Sequence, residues 1–326
     1  MRNSSSCLAF LLLSGLSELG VAAAQTYPTR PITMIVPLAA GGPTDTLARI
    51  LGEHMSRSLG QPILIENITG ASATIGVGKA ARAAADGYTL TIGNWFTHVL
   101  NGAIYSLSYD LENDFAPVAL LADNPLLILG KKALPAQNLQ ELITWLKANP
   151  DKASEGTSGV GSASHVTGLF FQSATNTRFQ FVPYRGTAPA MQDLVAGHID
   201  LMFDQVSNSL PYVRDQKIRA YAVTAKTRLA SAPDIPTADE AGVSDFHISV
   251  WHGFWVPKGT PQSIIAKINE AAVDALADPN VRERLGGLGQ QIHLREQQTP
   301  EALASFQRSE VQKWWPIIKA AGITAQ

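Results

Sequence analysis

Glycine and small hydroxyl residues gather twice in this chain beside the start of a helical pattern. The first gathering is Ala39-Ala40-Gly41-Gly42-Pro43-Thr44-Asp45, and the second runs from Gly156 through Thr157, Ser158, Gly159, Val160, Gly161, Ser162, Ala163 and Ser164 to His165. The start of a helix leaves backbone N–H groups without intrahelical partners at the positive end of the dipole. Side chains this small leave those groups within reach, so each segment is suited to an anion such as a carboxylate. Two such segments suggest a two-sided anion clamp.

Other candidates follow from the rule that ligands of open α/β sheets collect outside the carboxyl ends of the strands. From the first segment these are Ala39, Ala40, Gly41, Gly42 and Thr44, and from the second Ser158, Ser162, Ala163, Ser164 and His165. Asn94, Trp95, Phe96, Thr97 and His98 follow a third strand, Thr187 and Ala188 a later one, and Asp204 another. His98 and His165 are able to donate to a carboxylate or simply to pack, and Trp95 with Phe96 fits a planar pocket wall as well as a core. Asp45 would repel an anion, but Arg49 four residues on can pair with it, which favours a structural role for the acid.

Covalent chemistry finds little support. Gly76-Val77-Gly78-Lys79-Ala80-Ala81 has the form G-x-G-x-x-A but does not directly follow a strand and lacks an acid about twenty residues on. Lys79 lacks the surroundings of a phosphate-binding P-loop, no G-x-S-x-G is present, and the histidines show no zinc spacing. No nucleophile is organised with a base, so neither a catalytic site, a metal nor a cofactor is expected.

These segments are set in alternating strands and helices. Ile32 to Val36, Ile63 to Ile65 and Tyr88 to Ile92 read as strands, with helices at 44–59 and 75–85 between them. Gly42 and Pro43 suit the N-cap and first helical position, and Gly60 the end of that helix. This βαβαβ order implies a parallel sheet covered by helices. The same plan recurs after a long extended stretch at 117–129: helices at 139–148, 164–174, 190–196 and 209–213, strands at 179–184, 199–203 and 218–224. A Pro-, Ala- and Asp-rich surface segment at 226–245, an extended run at 250–257 and helices at 263–277 and 300–320 complete the chain. The two long extended runs suggest crossings between a discontinuous first domain, 25–126 with 252–326, and an inserted second one, 127–251.

Residues 1–24 read as an export signal cleaved near Ala24, with Arg2, an apolar run from Leu8 to Leu16 and small residues from Val21 to Ala24. That run is too short to span a bilayer. Cys7 is the only cysteine in the chain, so after cleavage neither disulfides nor thiolate metal sites are possible. A net charge of −2 gives no support for nucleic-acid binding or a basic membrane-docking face. The mature protein is expected to be exported, not membrane-spanning, and monomeric.

The opening Arg30-Pro31-Ile32 to Asp45 resembles that of the tripartite tricarboxylate transporter substrate-binding proteins, the Bug family. Asp86-Gly87-Tyr88-Thr89-Leu90, the second glycine segment, Val182-Pro183-Tyr184-Arg185-Gly186, Asp200 to Asp204, Pro236-Thr237 with Glu240-Ala241-Gly242, and Pro257 with Gly259-Thr260-Pro261 extend the resemblance over nearly all of the mature chain. It implies a periplasmic binding protein type II fold: two Rossmann-like α/β domains, a two-strand hinge and a ligand cleft between them. It also implies delivery of a small carboxylate to membrane permease subunits, with the acid held by amides and hydroxyls of Ala40 to Thr44 and Ser158 to His165. Asn94-Trp95-Phe96 and Gly102 depart from the family pattern, and Trp95 with Phe96 suggests an aromatic acid, while aliphatic mono-, di- and tricarboxylates stay open. A ligand-loaded sensor for a membrane kinase and a periplasmic enzyme acting on carboxylates are the alternatives.

Overall fold

The computed structural model describes residues 27–324, so the expected export signal lies outside the described residues. Among the described residues there are ten strands: β1 Ile32–Val36, β2 Ile63–Asn67, β3 Thr89–Asn94, β4 Phe115–Lys131, β5 Ser154–Thr157, β6 Gln180–Pro183, β7 Leu201–Gln205, β8 Ile218–Val223, β9 Ser249–Pro257 and β10 Gln291–Ile292. The helices are α1 Pro43–Leu59, α2 Thr74–Ala81, α3 Asn101–Ile104, α4 Leu139–Ala148, α5 Ala163–Thr175, α6 Thr187–Ala196, α7 Val206–Arg214, α8 Gln262–Ala277, α9 Pro279–Gly287 and α10 Pro300–Ala320. A π-helical turn, Phe96–Leu100, joins β3 to α3.

Strand order is β2-β1-β3-β9-β4-β7-β5-β6, with β8 and β10 also paired to β4. The β1, β2 and β3 pairings are parallel, as are those of β5 with β6 and β7, which the βαβ order requires. β4 belongs to both halves of this sheet. Phe115 to Pro125 pairs with β9, and Leu126 to Lys131 with β7 and β8.

Alternation along the strands sends side chains into different layers. In β4, Leu126 and Ile128 enter one apolar core while Leu127 and Leu129 enter another under α6 and α7. In β1, Ile32, Met34 and Val36 face α1 and α8, whereas Ile35 faces the opposite layer. That opposite layer is continuous across both halves, since it joins Trp95, Trp255 and Trp314 with Phe171, Phe179 and Phe203.

The crossing strands are tied together by one buried hydroxyl. Leu126 N donates to Thr224 Oγ1 at 2.9 Å, and Thr224 Oγ1 donates to Ile248 O at 2.5 Å. The Thr224 amide also donates to Leu126 O, and the Ile248 amide to Thr224 O. Both chain crossings are therefore pinned at one level. α9 and α3 were not expected from the sequence. Neither was β5, whose Ser154-Glu155-Gly156-Thr157 carries no apolar run.

Candidate functional site

Strand register brings the two glycine-rich loops to the same gap. Asn94, at the end of β3, pairs with His252 near the start of β9, and Gln205, at the end of β7, pairs with Leu126 at the crossing in β4. β1 runs parallel to β3. β5 likewise runs parallel to β7. The carboxyl ends of all four strands therefore point toward the line between the halves.

The first loop is braced from behind. Asp45, with its side chain 3 % exposed, accepts from Gly41 N at 2.8 Å, Arg49 Nε at 2.8 Å and Asn67 Nδ2 at 2.9 Å. Burial works against its charge, but these bonds and the guanidinium hold its carboxyl below the usual range. Gly41 has φ +78°, open to glycine and costly for other residues, and this turns its N–H onto the acid. The structural role foreseen for Asp45 is what the geometry gives. Gly42 is the N-cap of α1 and Pro43 opens the helix, so no side chain caps it.

The second loop closes on itself. Ser162 is the N-cap of α5 and accepts from His165 N at 3.4 Å, while Ser164 Oγ accepts from Ser158 N at 3.0 Å. Gly161 N donates to His165 Nδ1 at 3.0 Å, and Ser162 N to Gly159 O at 3.1 Å. Several amides expected to meet a ligand are thus already engaged. His165, whose ring packs edge-on to Phe181, is held neutral by burial, with its pKa lowered. Thr187 and Ala188 open α6, a third helix with no side-chain cap, following the edge strand β6.

Between the halves lies a cleft of about 410 Å³, with Gly41, Pro43 and Thr46 on one side and Ser207, Asn208 and Tyr212 of α7 on the other. A second hollow of about 680 Å³, between α1 and α9 and lined by Ala40, Arg49 and Leu288, lies within one half. The second loop lines neither. Next to Pro43 of the cleft wall the residues are buried and hydrogen-bonded: Thr44 Oγ1 accepts from Asn94 Nδ2 at 3.2 Å and lies 3.1 Å from His252 Nε2. Thr44 has a second lone pair and a proton, so either tautomer of His252 completes this contact, and burial holds the His252 pKa down to about 4 and keeps the ring neutral.

Asp204 sits beside this cleft, 4 % exposed, and accepts from Asn208 Nδ2 at 2.6 Å. Burial pushes its pKa up to about 7, against the opposing pull of the Asn208 bond. It is poised between the acid and its carboxylate.

The residues after β3 depart most from expectation. Trp95 is 0 % exposed and packs edge-on to Trp314 at 4.8 Å between ring centres, so it is core and not a pocket wall. Phe96 joins the same apolar layer. Thr97 is buried and caps the turn, donating its amide to Asn94 Oδ1 at 3.0 Å. His98 stacks on Trp255 at 4.0 Å, and burial lowers its pKa to about 3, so it is a neutral packing group. The physical reason is the π-helical turn, which swings this segment inward onto α10 instead of out along the cleft. Sequence reading did not single out Ser207, Asn208, Tyr212 or His252. The first three lie just past β7, where the strand-end rule could have found them; His252 lies inside a strand and carried no such signal.

Two α/β halves joined through shared strands, with strand ends and an uncapped helix converging on the gap, define the fold of periplasmic binding proteins. Over residues 47–323 the chain matches the model of the tripartite tricarboxylate transporter family receptor, and it belongs to that family. A UPF0065 protein in the TAR-I ttuE-ttuC' intergenic region of Agrobacterium vitis is 38% identical over 315 residues, 97% of this chain and 91% of that one. The solved periplasmic binding protein BugD is similar with a TM-score of 0.86 and 39% identity, over 92% of this chain and all (100%) of that one. MatC from Rhodopseudomonas palustris, solved with bound malate, gives a TM-score of 0.84 and 40% identity, over 90% of this chain and 100% of that one.

Proposed function

We propose that this protein is an exported solute receptor that takes a small aliphatic dicarboxylate between its halves and delivers it to membrane permease subunits. The carrying observation is the N-terminus of α1, which no side chain caps and which faces α7 across the cleft. One ligand carboxylate would lie against the amides of Thr44 and Asp45, where dipole and unpaired N–H groups favour negative charge. The second end of the ligand would reach Asp204 and Asn208. Asp204 in its protonated form donates to a carboxylate, and in its ionised form accepts from a ligand hydroxyl.

Burial of Trp95 removes the reason for an aromatic acid, and the malate bound by a 40%-identical relative supports a compact aliphatic one. The crossings at Leu126 and Ile248 would act as the hinge between residues 25–126 with 252–326 and residues 127–251. Closure would be driven by contacts that a bridging acid makes only when the halves meet. Residues 1–24 would direct export.

Isothermal titration against malate, succinate, adipate, citrate and benzoate tests the reading. Binding of a dicarboxylate, lost by at least about tenfold in Gly42→Leu, is expected, because a bulky side chain over these amides costs charge-assisted hydrogen bonds of roughly 1.5–3 kcal/mol each. No binding to any of the five, or undiminished affinity in that variant, would end it.

A further inference from the structure

Between β2 and α2 the backbone does something unusual for its residue types. Gly70 is followed by Ala71, Ser72 and Ala73 with φ of +42°, +51° and +73°, three consecutive non-glycine residues in the left-handed region. Such a run persists only where its surroundings over-determine it, and strain of this kind concentrates at clamps and switches. Here the surroundings are two side chains. Asn101 Nδ2 donates to Ser72 O at 2.8 Å, and Tyr105 Oη lies 2.6 Å from Ser72 Oγ.

The same phenol reaches the other half of the molecule. Tyr105 Oη is 3.0 Å from Val160 O, on the crest of the second glycine-rich loop. The phenol is the donor toward both Ser72 Oγ and Val160 O, and its one proton is shared between them. Next to it, Ile104 packs under Gly161, where an added Cβ would come within 3.0 Å of Ile104 Cδ1. Gly161 has φ +74°, so both backbone conformation and space at this position call for glycine.

We propose that Ile104 and Tyr105 form a catch for the closed state, in which the left-handed Ala71–Ala73 turn aims the Tyr105 phenol so that it seats the second loop across the gap. This rests on the solute-receptor reading for its purpose, and not for its geometry. The loop engages several of its own amides and lines neither hollow, while Ile104 and Tyr105 seat it from the other half. Tyr105 is a positioning residue: it touches the loop's backbone and acts on ligand through it. Opening requires breaking the phenol–carbonyl bond, and re-forming it is part of closing.

Stopped-flow tryptophan fluorescence with L-malate as probe, on the wild type and Tyr105→Phe, gives the test. The dissociation rate rises about two- to tenfold with the association rate unchanged, since one hydrogen bond of the bound state is lost. Ser72→Ala shifts the dissociation rate in the same direction by less, and it stands in should Tyr105→Phe fail to fold. An unchanged dissociation rate, or a loss confined to association, overturns the catch. Should the wild type not bind malate, whichever acid of the panel binds serves as the probe; if none binds, the dicarboxylate reading fails instead, and hydrogen exchange over residues 157–165 in the free proteins then decides. Faster exchange in Tyr105→Phe supports the seat, and equal exchange overturns it.

Discussion

The two glycine-rich loops look alike in sequence and are built on opposite plans. The first is held rigidly from behind by Asp45, Arg49 and Asn67 and leaves its helix start uncapped. The second spends its serines and histidine on its own amides and is seated from outside by Ile104 and Tyr105. Small residues at a helix start give access to amides, but only the neighbouring side chains decide whether those amides are free. In the function proposed above, the charge of a ligand falls to the first loop, and shape and closure to the second.

The sharpest way to break this contrast is Asp45→Ala. Arg49 would lose its buried partner and Gly41 N its acceptor, for a stability loss of about 2 to 4 kcal/mol, with binding weakened at least about tenfold. Thermal denaturation and titration with malate check both parts. Next comes a pair. Gly42→Leu keeps φ −78° and brings its Cβ to 3.3 Å from Ala39 O, so affinity falls with a smaller drop in melting temperature than in Gly161→Leu, which collides with Ile104 at a left-handed position and lowers the melting temperature first. Equal behaviour of the two variants would erase the distinction between the loops.

Ser164→Ala removes the acceptor of Ser158 N and contacts to two further hydroxyls, for about 1 to 2 kcal/mol and a smaller loss of affinity than Gly42→Leu. The smallest effects are in pH dependence, where the acids behind the two loops differ in sign. Asp45, held low in the fold, contributes stability above the normal carboxylate range that is lost on acidification through its folded pKa. Glu155 in β5 is fully buried with both carboxylate oxygens unpartnered, and burial raises its pKa well above normal. It favours the fold while protonated, and stability falls as pH rises from the unfolded value through the folded one. Melting curves of Glu155→Gln from pH 5 to 8 should decline less at the alkaline end than those of the wild type. Identical slopes would mean that Glu155 does not titrate there.

Much of this was legible in order and period. The β1–α1 unit with Gly42 at its cap and Gly60 at its end, the parallel pairing, the length of β4 and the closing helices all follow from local pattern. The short elements were missed because their signals are weak: β5 is four residues containing a buried acid, and α9 is rich in charge and glycine. Trp95 and His98 were misplaced for a different reason. A strand-end position implies a cleft only when the chain continues outward, and here a π-helical turn takes it into the core beneath Trp255 and Trp314.

By itself the sequence determined the α/β alternation, the two amide-rich helix starts and the pairing of Asp45 with Arg49, because each depends on residues within a turn or two of one another. Tertiary structure alone decided that Thr224 ties both crossings and that Tyr105 reaches Val160. Those outcomes depend on which partner arrives from residues 24 to 98 positions away, and no local pattern encodes that meeting.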